Sequence, residues 1–498
     1  MTVACAAPSL AERVLEHARL RPTAPALIWR GRAVEYAELA NLVLDARRRL
    51  QSLDGRGPIG LLARKSPEAI ALILACLLAR RPVFVPSPDL AADVLRRLFA
   101  RAGCSHILTP GEPAAAASAF EAAAVRRLGQ DDGADIALML TTSGSTGDPK
   151  IVPLAPGALD RFTAWAGDHF SITQQTTVLS YAPLNFDLCV LDIWTTLSHG
   201  GTVALVEHER ATDARHMLEL LAAAQVEVVQ GVPMLFRLLS DAASKDERRV
   251  DSVRHVLVTG DSIAPSALAT LAVLFPRARF HNVYGCTETN DSFVSEIDLR
   301  AVAARGEIPI GEPLPGVSAL IVAAAGDVVD GPGEGELWVA TPFQTTGYAD
   351  PSLDAGKFAP HPQVPDGRTY FRTGDTVRRH EDGSVTLCGR NDSLVKVRGV
   401  RVSTQAVEQA MLEHEAVVEV AVLAIPDALA GSRLHAVVRR AEASHLDSMV
   451  LRRHCAGRLD RAAVPSKIEI VTHPLPKTPT GKVDRRRSIP NTQRRSAP

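Results

Sequence analysis

The segment Thr141-Thr142-Ser143-Gly144-Ser145-Thr146-Gly147-Asp148-Pro149-Lys150 decides how the rest of the chain is read. It follows the apolar run Ile136-Ala137-Leu138-Met139-Leu140, which predicts a buried strand. Gly144 and Gly147 free the backbone to turn tightly and bring its N–H groups close to a ligand. Hydroxyls on Thr142, Ser143, Ser145 and Thr146 can donate to anionic oxygens, and Lys150 adds a positive charge. These are the parts of a phosphate cradle. The competing reading is a polar surface loop between two strands. A Walker loop is excluded, because no Gly-Lys-Ser/Thr follows at the required spacing.

Around this segment lie 498 residues, enough for more than one domain, and 46% of them are hydrophobic, enough for large cores. A net charge of −1 argues against a nucleic-acid or anionic-membrane footprint. Seven cysteines, at 5, 76, 104, 189, 286, 388 and 455, are scattered without paired metal spacing and read as reduced thiols. No basic stretch leads into an apolar core at the N-terminus, so a cytoplasmic protein is expected. The run 69–79 is too short to span a bilayer and reads as a buried helix. Only eight of the 55 basic residues are lysine. A compact ammonium is not interchangeable with a guanidinium, so Lys150, Lys396, Lys477 and Lys482 merit inspection.

Residues 8–50 read as helix, short strand, helix, with Ser9 as the first cap. Strands are expected at 60–62 and 82–86 around a helix at 67–79, and residues 111–124 read as a surface helix or loop. Farther on, 225–229 reads as strand before a helix at Pro233, and 255–261 as strand into turn. Such alternation predicts an open, mainly parallel α/β sheet with helices on both faces. Tyr181-Ala182-Pro183-Leu184-Asn185-Phe186-Asp187 leads into a helix expected from Leu188 to Leu197. Asp187 reads either as a helix N-cap or as a carboxylate awaiting a cation.

Five further segments stand in a fixed order: Asn282-Val283-Tyr284-Gly285-Cys286-Thr287-Glu288, Tyr370-Phe371-Arg372-Thr373-Gly374-Asp375, Gly389-Arg390-Asn391-Asp392, Lys396-Val397-Arg398-Gly399-Val400-Arg401-Val402, and Pro476-Lys477-Thr478-Pro479-Thr480-Gly481-Lys482-Val483-Asp484-Arg485. With the opening segment they resemble the motifs of the adenylate-forming enzymes: acyl-CoA synthetases, luciferases and the adenylation domains of nonribosomal peptide synthesis. The resemblance covers nearly the whole chain. It departs at Ile151, where glycine is usual, at Cys286, where proline is common, and at Ser403, where glutamate is usual and a salt bridge is expected to be lost. Cys286 reads as packing, with a place in the substrate site as the alternative.

The resemblance implies an α/β fold. A large N-terminal domain, residues 1–390, would hold two doubly wound αβ subdomains and a distorted β-barrel. A small mobile α+β lid, residues 391–498, would carry the catalytic lysine. It implies ATP and Mg²⁺ as cofactors. Thr142, Ser143, Gly144, Ser145, Thr146, Gly147 and Lys150 would cradle phosphate. Tyr284 would stack near adenine, Thr287 would touch the α-phosphate and Glu288 would hold the metal. Asp375 would bind the ribose hydroxyls, as suits a short acceptor facing a vicinal diol. Arg390 would contact the ribose, Asp392 would be the hinge and Gly399 would line a pantetheine tunnel. Lys482 would stabilise charge moving from the α-phosphate to pyrophosphate.

In members that activate amino acids, an Asp at the place of Asp187 binds the α-amino group. By the same resemblance Leu188, Leu191, Gln230, Val258, Gly260, Val283, Asp291 and Ser292 would line the side-chain pocket. The implied function is activation of a small amino acid (Gly, Ala, Ser or Pro) as its adenylate. The acyl group would then pass to the phosphopantetheine thiol of a separate carrier protein in natural-product biosynthesis, since little length follows Lys482. Asp291 fits a small apolar side chain poorly, so an amino acid with a hydroxyl or second amine is the alternative. A CoA ligase of an organic acid and a non-catalytic nucleotide-binding regulator are further alternatives. Neither nucleic acid nor membrane is expected as a partner, and the chain is expected to be a monomer or weak dimer.

Overall fold

The computed structural model describes residues 8–111, 115–116, 136–142, 149–245, 248–261, 263, 265–305, 307–390, 394–397, 400–427, 431–442, 444–456, 458–459, 463–478 and 483–488. The apolar run ahead of the opening segment forms the strand Leu138–Thr142. Its Leu138, Met139 and Leu140 are buried. It pairs in parallel with Val83–Phe84 and antiparallel with Lys150–Leu154, so Thr142 and Lys150 face each other across the hairpin. Ile59–Leu61, His106–Leu108 and Ala115–Ala116 complete this six-stranded sheet. The last of these corrects the expectation of helix or loop for residues 115–116. The helix Pro67–Leu78 packs here, capped by Ser66 and started by proline. Nine of its residues are buried, so it is an internal helix.

A second, nine-stranded sheet has a parallel centre: Pro25–Trp29, Thr202–Leu205, Thr177–Ser180, Val228–Gly231, His255–Thr259 and Arg279–Cys286. Arg32–Glu35, Asn290–Glu296 and Glu312–Pro313 add antiparallel edges. Because the central strands run parallel, the residues that follow Ser180, Gly231, Thr259 and Cys286 emerge on one edge. Ligands of open α/β sheets bind outside such carboxyl ends.

The chain then builds a five-stranded antiparallel sheet from Ser318–Val322, Gly333–Ala340, Phe358–Pro360, Thr369–Arg379 and Val385–Arg390. This is the region of the expected barrel. Beyond it, Leu394–Val397 and Val400–Ser403 form the expected hairpin. The helix Thr404–Leu412 follows, and Ser403 Oγ accepts from Ala406 N at 3.2 Å to cap it. The serine that departs from the family pattern therefore serves as an N-cap. Val417–Asp427, Gly431–Arg440 and Lys467–Val471 make a last sheet. Val407, Met411, Val420, Leu434 and Leu451 belong to a core of its own. The residues from Val395 to Ile470 thus share a core separate from those of the larger sheets, and Asp392 lies outside the described residues. Arg237 links the two parts, donating to Val417 O at 3.2 Å and to Val418 O at 2.5 Å.

At the opposite ends of the parallel strands, His255 Nδ1 and His281 Nε2 share a hydrogen bond of 3.1 Å, flanked by Phe170. Burial pushes both rings down to about 4. A folded-state value below the unfolded one means that the unfolded chain binds more protons between pH 6.5 and 4. Stability is therefore kept above pH 6.5 and lost as pH falls towards 4. At about 1.4 kcal/mol per pKa unit, the two rings together should lose on the order of 4 kcal/mol between pH 7 and pH 5. Urea unfolding at pH 7 and pH 5 measures this loss, and His255→Phe/His281→Leu should flatten it.

Candidate active site

One cavity on the carboxyl edge is lined by Thr142, Lys150, Asp187, Tyr284, Thr287, Glu288, Asp375 and Arg390. Each was singled out from the sequence, and the fold brings all eight together from five separate segments. Ser143, Gly144, Ser145, Thr146, Gly147, Asp392, Gly399 and Lys482 lie outside the described residues. The segment that carries Lys482 is nevertheless framed. Lys477 and Val483 pair across it, and Lys477 Nζ binds Glu419 at 3.0 Å.

Glu288 sits in the tight turn between Arg279–Cys286 and Asn290–Glu296. Thr289 N donates to Cys286 O to close that turn. Gly285 admits the hairpin's close approach, since a Cβ there would stand 2.3 Å from Asn290 O. The segment 341–348 holds the turn from below: Thr345 N donates to Glu288 O, and Thr341 Oγ1 donates to Thr289 O. Tyr348 adds a bond of 2.5 Å from its hydroxyl to Glu288 Oε1. Lys150 Nζ rests 4.5 Å from the Tyr348 ring centroid and 3.5 Å from its hydroxyl. Tyr348 thus couples the lysine to the carboxylate. No motif in the sequence gave Tyr348 a chemical role, because its partner Glu288 lies 60 positions away.

Asp375 is buried and accepts from two directions, Tyr284 Oη at 2.5 Å and Arg390 Nη1 at 3.0 Å. Its backbone N–H is fixed by Thr373 Oγ1. Arg390 from the paired strand and Tyr284 from the nine-stranded sheet therefore hold this carboxylate in place, which their expected contacts with adenine and ribose did not anticipate. Burial and the adjacent carboxylate push the Tyr284 phenol up, so it acts as a donor.

On the far side, the helix expected from Leu188 to Leu197 is a π-helical turn, Val190–Thr195, followed by one turn of α-helix, Thr196–Ser198. Thr195 Oγ1 donates to Val190 O and Thr196 Oγ1 to Leu191 O, each five residues back, which favours the wider turn. Such turns cluster at functional sites. The N-cap of this turn is Cys189 rather than Asp187. Asp187 lies in the preceding bend on the cavity wall, where its backbone O accepts from Val190 N.

Leu188, Leu191, Gln230, Gly260, Val283 and Asp291 also line the cavity. Val258 and Ser292 do not: both are fully buried behind the wall. Gly260 takes φ +79°, a left-handed conformation at the end of its strand that glycine adopts without strain. Cys286 packs on the main core, as expected, and also lines the cavity. Burial, with Glu288 nearby, pushes its thiol up, which makes it a poor nucleophile. The six described cysteines are free.

Among the described residues no cluster of three His, Cys, Asp or Glu side chains is disposed to hold a metal. One carboxylate, Glu288, suits Mg²⁺, which keeps several waters and takes most of its oxygens from substrate phosphates. No described helix is long and apolar enough to cross a membrane.

Two family models match the chain: the AMP-binding enzyme model over residues 14–349 and the AMP-binding enzyme C-terminal domain model over residues 406–482. The L-proline–[L-prolyl-carrier protein] ligase of Streptomyces coelicolor is 31% identical over 470 residues, covering 92% of this chain and 86% of that protein. The o-succinylbenzoate CoA synthetase of Bacillus subtilis, solved with its acyl-adenylate intermediate, superposes with a TM-score of 0.79 at 20% identity, covering 95% and 97% of the two chains. A four-domain nonribosomal peptide synthetase bound to AMP and glycine gives a TM-score of 0.80 at 24% identity, covering 99% of this chain and 37% of that one. These structures share the large N-terminal and smaller C-terminal α/β arrangement.

Proposed function

The chain belongs to the AMP-binding enzyme family of ATP-dependent ligases, and from that premise we propose that it activates an amino acid as its adenylate and passes it to a carrier protein. The observation that carries the amino-acid reading is Asp187 on the wall of the cavity that also holds Asp375 and Glu288. A carboxylate placed there supplies the counter-ion for an α-ammonium. The prolyl relative supports the same reading, as does its carrier-protein acceptor.

In this reading Asp375, held by Tyr284 and Arg390, accepts the two ribose hydroxyls. Thr142, Thr287 and Lys150 face the phosphates. Glu288, steadied by Tyr348, would hold Mg²⁺, which when bound neutralises phosphate charge. The substrate carboxylate oxygen attacks the α-phosphorus. The bond from that phosphorus to the bridging oxygen breaks, and pyrophosphate leaves with the electron pair. Lys482 meets the charge that moves with it. Rotation of residues 391–498 about Asp392 then withdraws Lys482 and admits a thiol. The sulfur attacks the acyl carbon, AMP leaves, and the thiol proton passes to solvent.

Pyrophosphate exchange over all amino acids tests the first half. For the second half, free CoA and a phosphopantetheinylated carrier are offered side by side, and the carrier should be acylated at least ten times faster. Preference for CoA, or exchange with organic acids and no amino acid, would favour a CoA ligase instead.

A further inference from the structure

Among the described residues, the cavity wall carries acceptors without a partner. Gln230 is 1% exposed, lines the cavity and has no partner for Oε1. Asp291 lines it from the strand Asn290–Glu296, and its buried Oδ2 has no partner either. Asp187 stands near enough to push the Asp291 carboxyl up, to about 8, on top of the effect of burial. Among the described residues no cation offsets that shift.

Behind the wall the pattern continues. Asp192, in the π-helical turn, is fully buried with both oxygens unpartnered, and the Asp291 charge reaches it too. The cation whose charge reaches Asp192 is Lys65, also buried. Its ammonium is already engaged with Ser180 O, Ser180 Oγ and Ala182 O, which matches the three protons it has to give. It has no donor left for the pocket.

A buried polar atom left unpaired is costly, and more so for a carboxylate. Glycine, alanine or proline would fill this space without donating to either acceptor. One α-ammonium satisfies Asp187 alone. We propose that the side chain chosen by this pocket carries a second basic nitrogen, held between Asp291 and Gln230, so that the substrate is a diamino acid. This rests on the amino-acid reading above and deepens it. The α-ammonium meets Asp187, and the side-chain ammonium meets Asp291. Leu188, Leu191 and Val283 supply apolar wall between the two ends.

The test compares pairs of matched chain length in pyrophosphate exchange: 2,4-diaminobutyrate with 2-aminobutyrate, ornithine with norvaline, and lysine with norleucine. In at least one pair the diamino acid should have a kcat/KM at least 100-fold above its neutral partner. Asp291→Leu removes the acceptor and closes the gap with an apolar side chain. It should reverse that preference while leaving the KM for ATP unchanged. Asp291→Asn, which keeps the shape, should lose most of the preference and serves if the leucine variant does not fold. Equal or better turnover of the neutral partners by the wild-type enzyme overturns the proposal, as does an unchanged ratio in both variants. Proline or glycine as the best substrate would overturn it while leaving amino-acid activation intact. Absence of exchange with every amino acid would instead remove the reading on which it rests.

Discussion

Lys482→Ala should bind ATP as the parent does and form adenylate slower by roughly 10²–10³-fold, the scale set by removing one charge-stabilising donor from a transition state. The expectation rests on where charge develops. A point charge that bridges the attacking carboxylate and the α-phosphate gains most while negative charge moves onto pyrophosphate, so its loss appears in kcat more than in binding. The frame of the loop gives reason to expect a folded variant. Glu419 accepts from Leu475 N at 2.8 Å and binds Lys477 at 3.0 Å, while Asp484 N donates to Pro476 O at 2.7 Å. None of these contacts uses Lys482. Nucleotide affinity by titration and adenylation by single turnover separate the two effects. Adenylation near the parent rate would remove Lys482 from the mechanism.

Much of the site was legible because its chemistry sits in contiguous motifs. Thr142 and Lys150 flank one hairpin, and Thr287 with Glu288 occupies one turn, so spacing along the chain was already spacing in space. The parallel sheets were legible from alternating strand and helix patterns. What stayed hidden depends on contacts between distant segments. Tyr348 reaches Glu288 across 60 positions, and Asp375 meets Tyr284 across 91. No local pattern encodes either bond. The π-helical turn was read as an ordinary helix because its apolar spacing is helical, while the hydroxyls of Thr195 and Thr196 that favour the wider turn look like neutral helix residues. The partition of the pocket positions was hidden for a related reason. Val258 and Ser292 adjoin Thr259 and Asp291, which do line the cavity, and only their full burial in the folded sheet puts them behind the wall.

Asp187→Asn separates a carboxylate that binds substrate from one that only shapes the chain. If Asp187 pairs with the substrate ammonium, the asparagine variant leaves that ammonium enclosed without its counter-ion. Losing one partner of such a pair costs about 3–5 kcal/mol, or roughly a hundredfold or more in kcat/KM. The loss should fall on the amino acid. The KM for ATP should hold, because the residues proposed to contact the nucleotide, Asp375, Tyr284 and Arg390, are bonded to one another and lie on other segments. A desamino analogue, which brings no ammonium, should suffer less from the substitution than the amino acid does. The structural alternative predicts something else. The π-helical turn takes Cys189 as its N-cap with no side-chain bond, and the Val190 N to Asp187 O bond uses only backbone atoms. Asparagine caps and turns about as well as aspartate, so a purely local role would leave both substrates untouched. Pyrophosphate exchange with the amino acid and its desamino analogue, in parent and variant, reads the difference directly. Unchanged amino-acid kinetics would reject ammonium recognition by Asp187 and bring the organic-acid ligase forward.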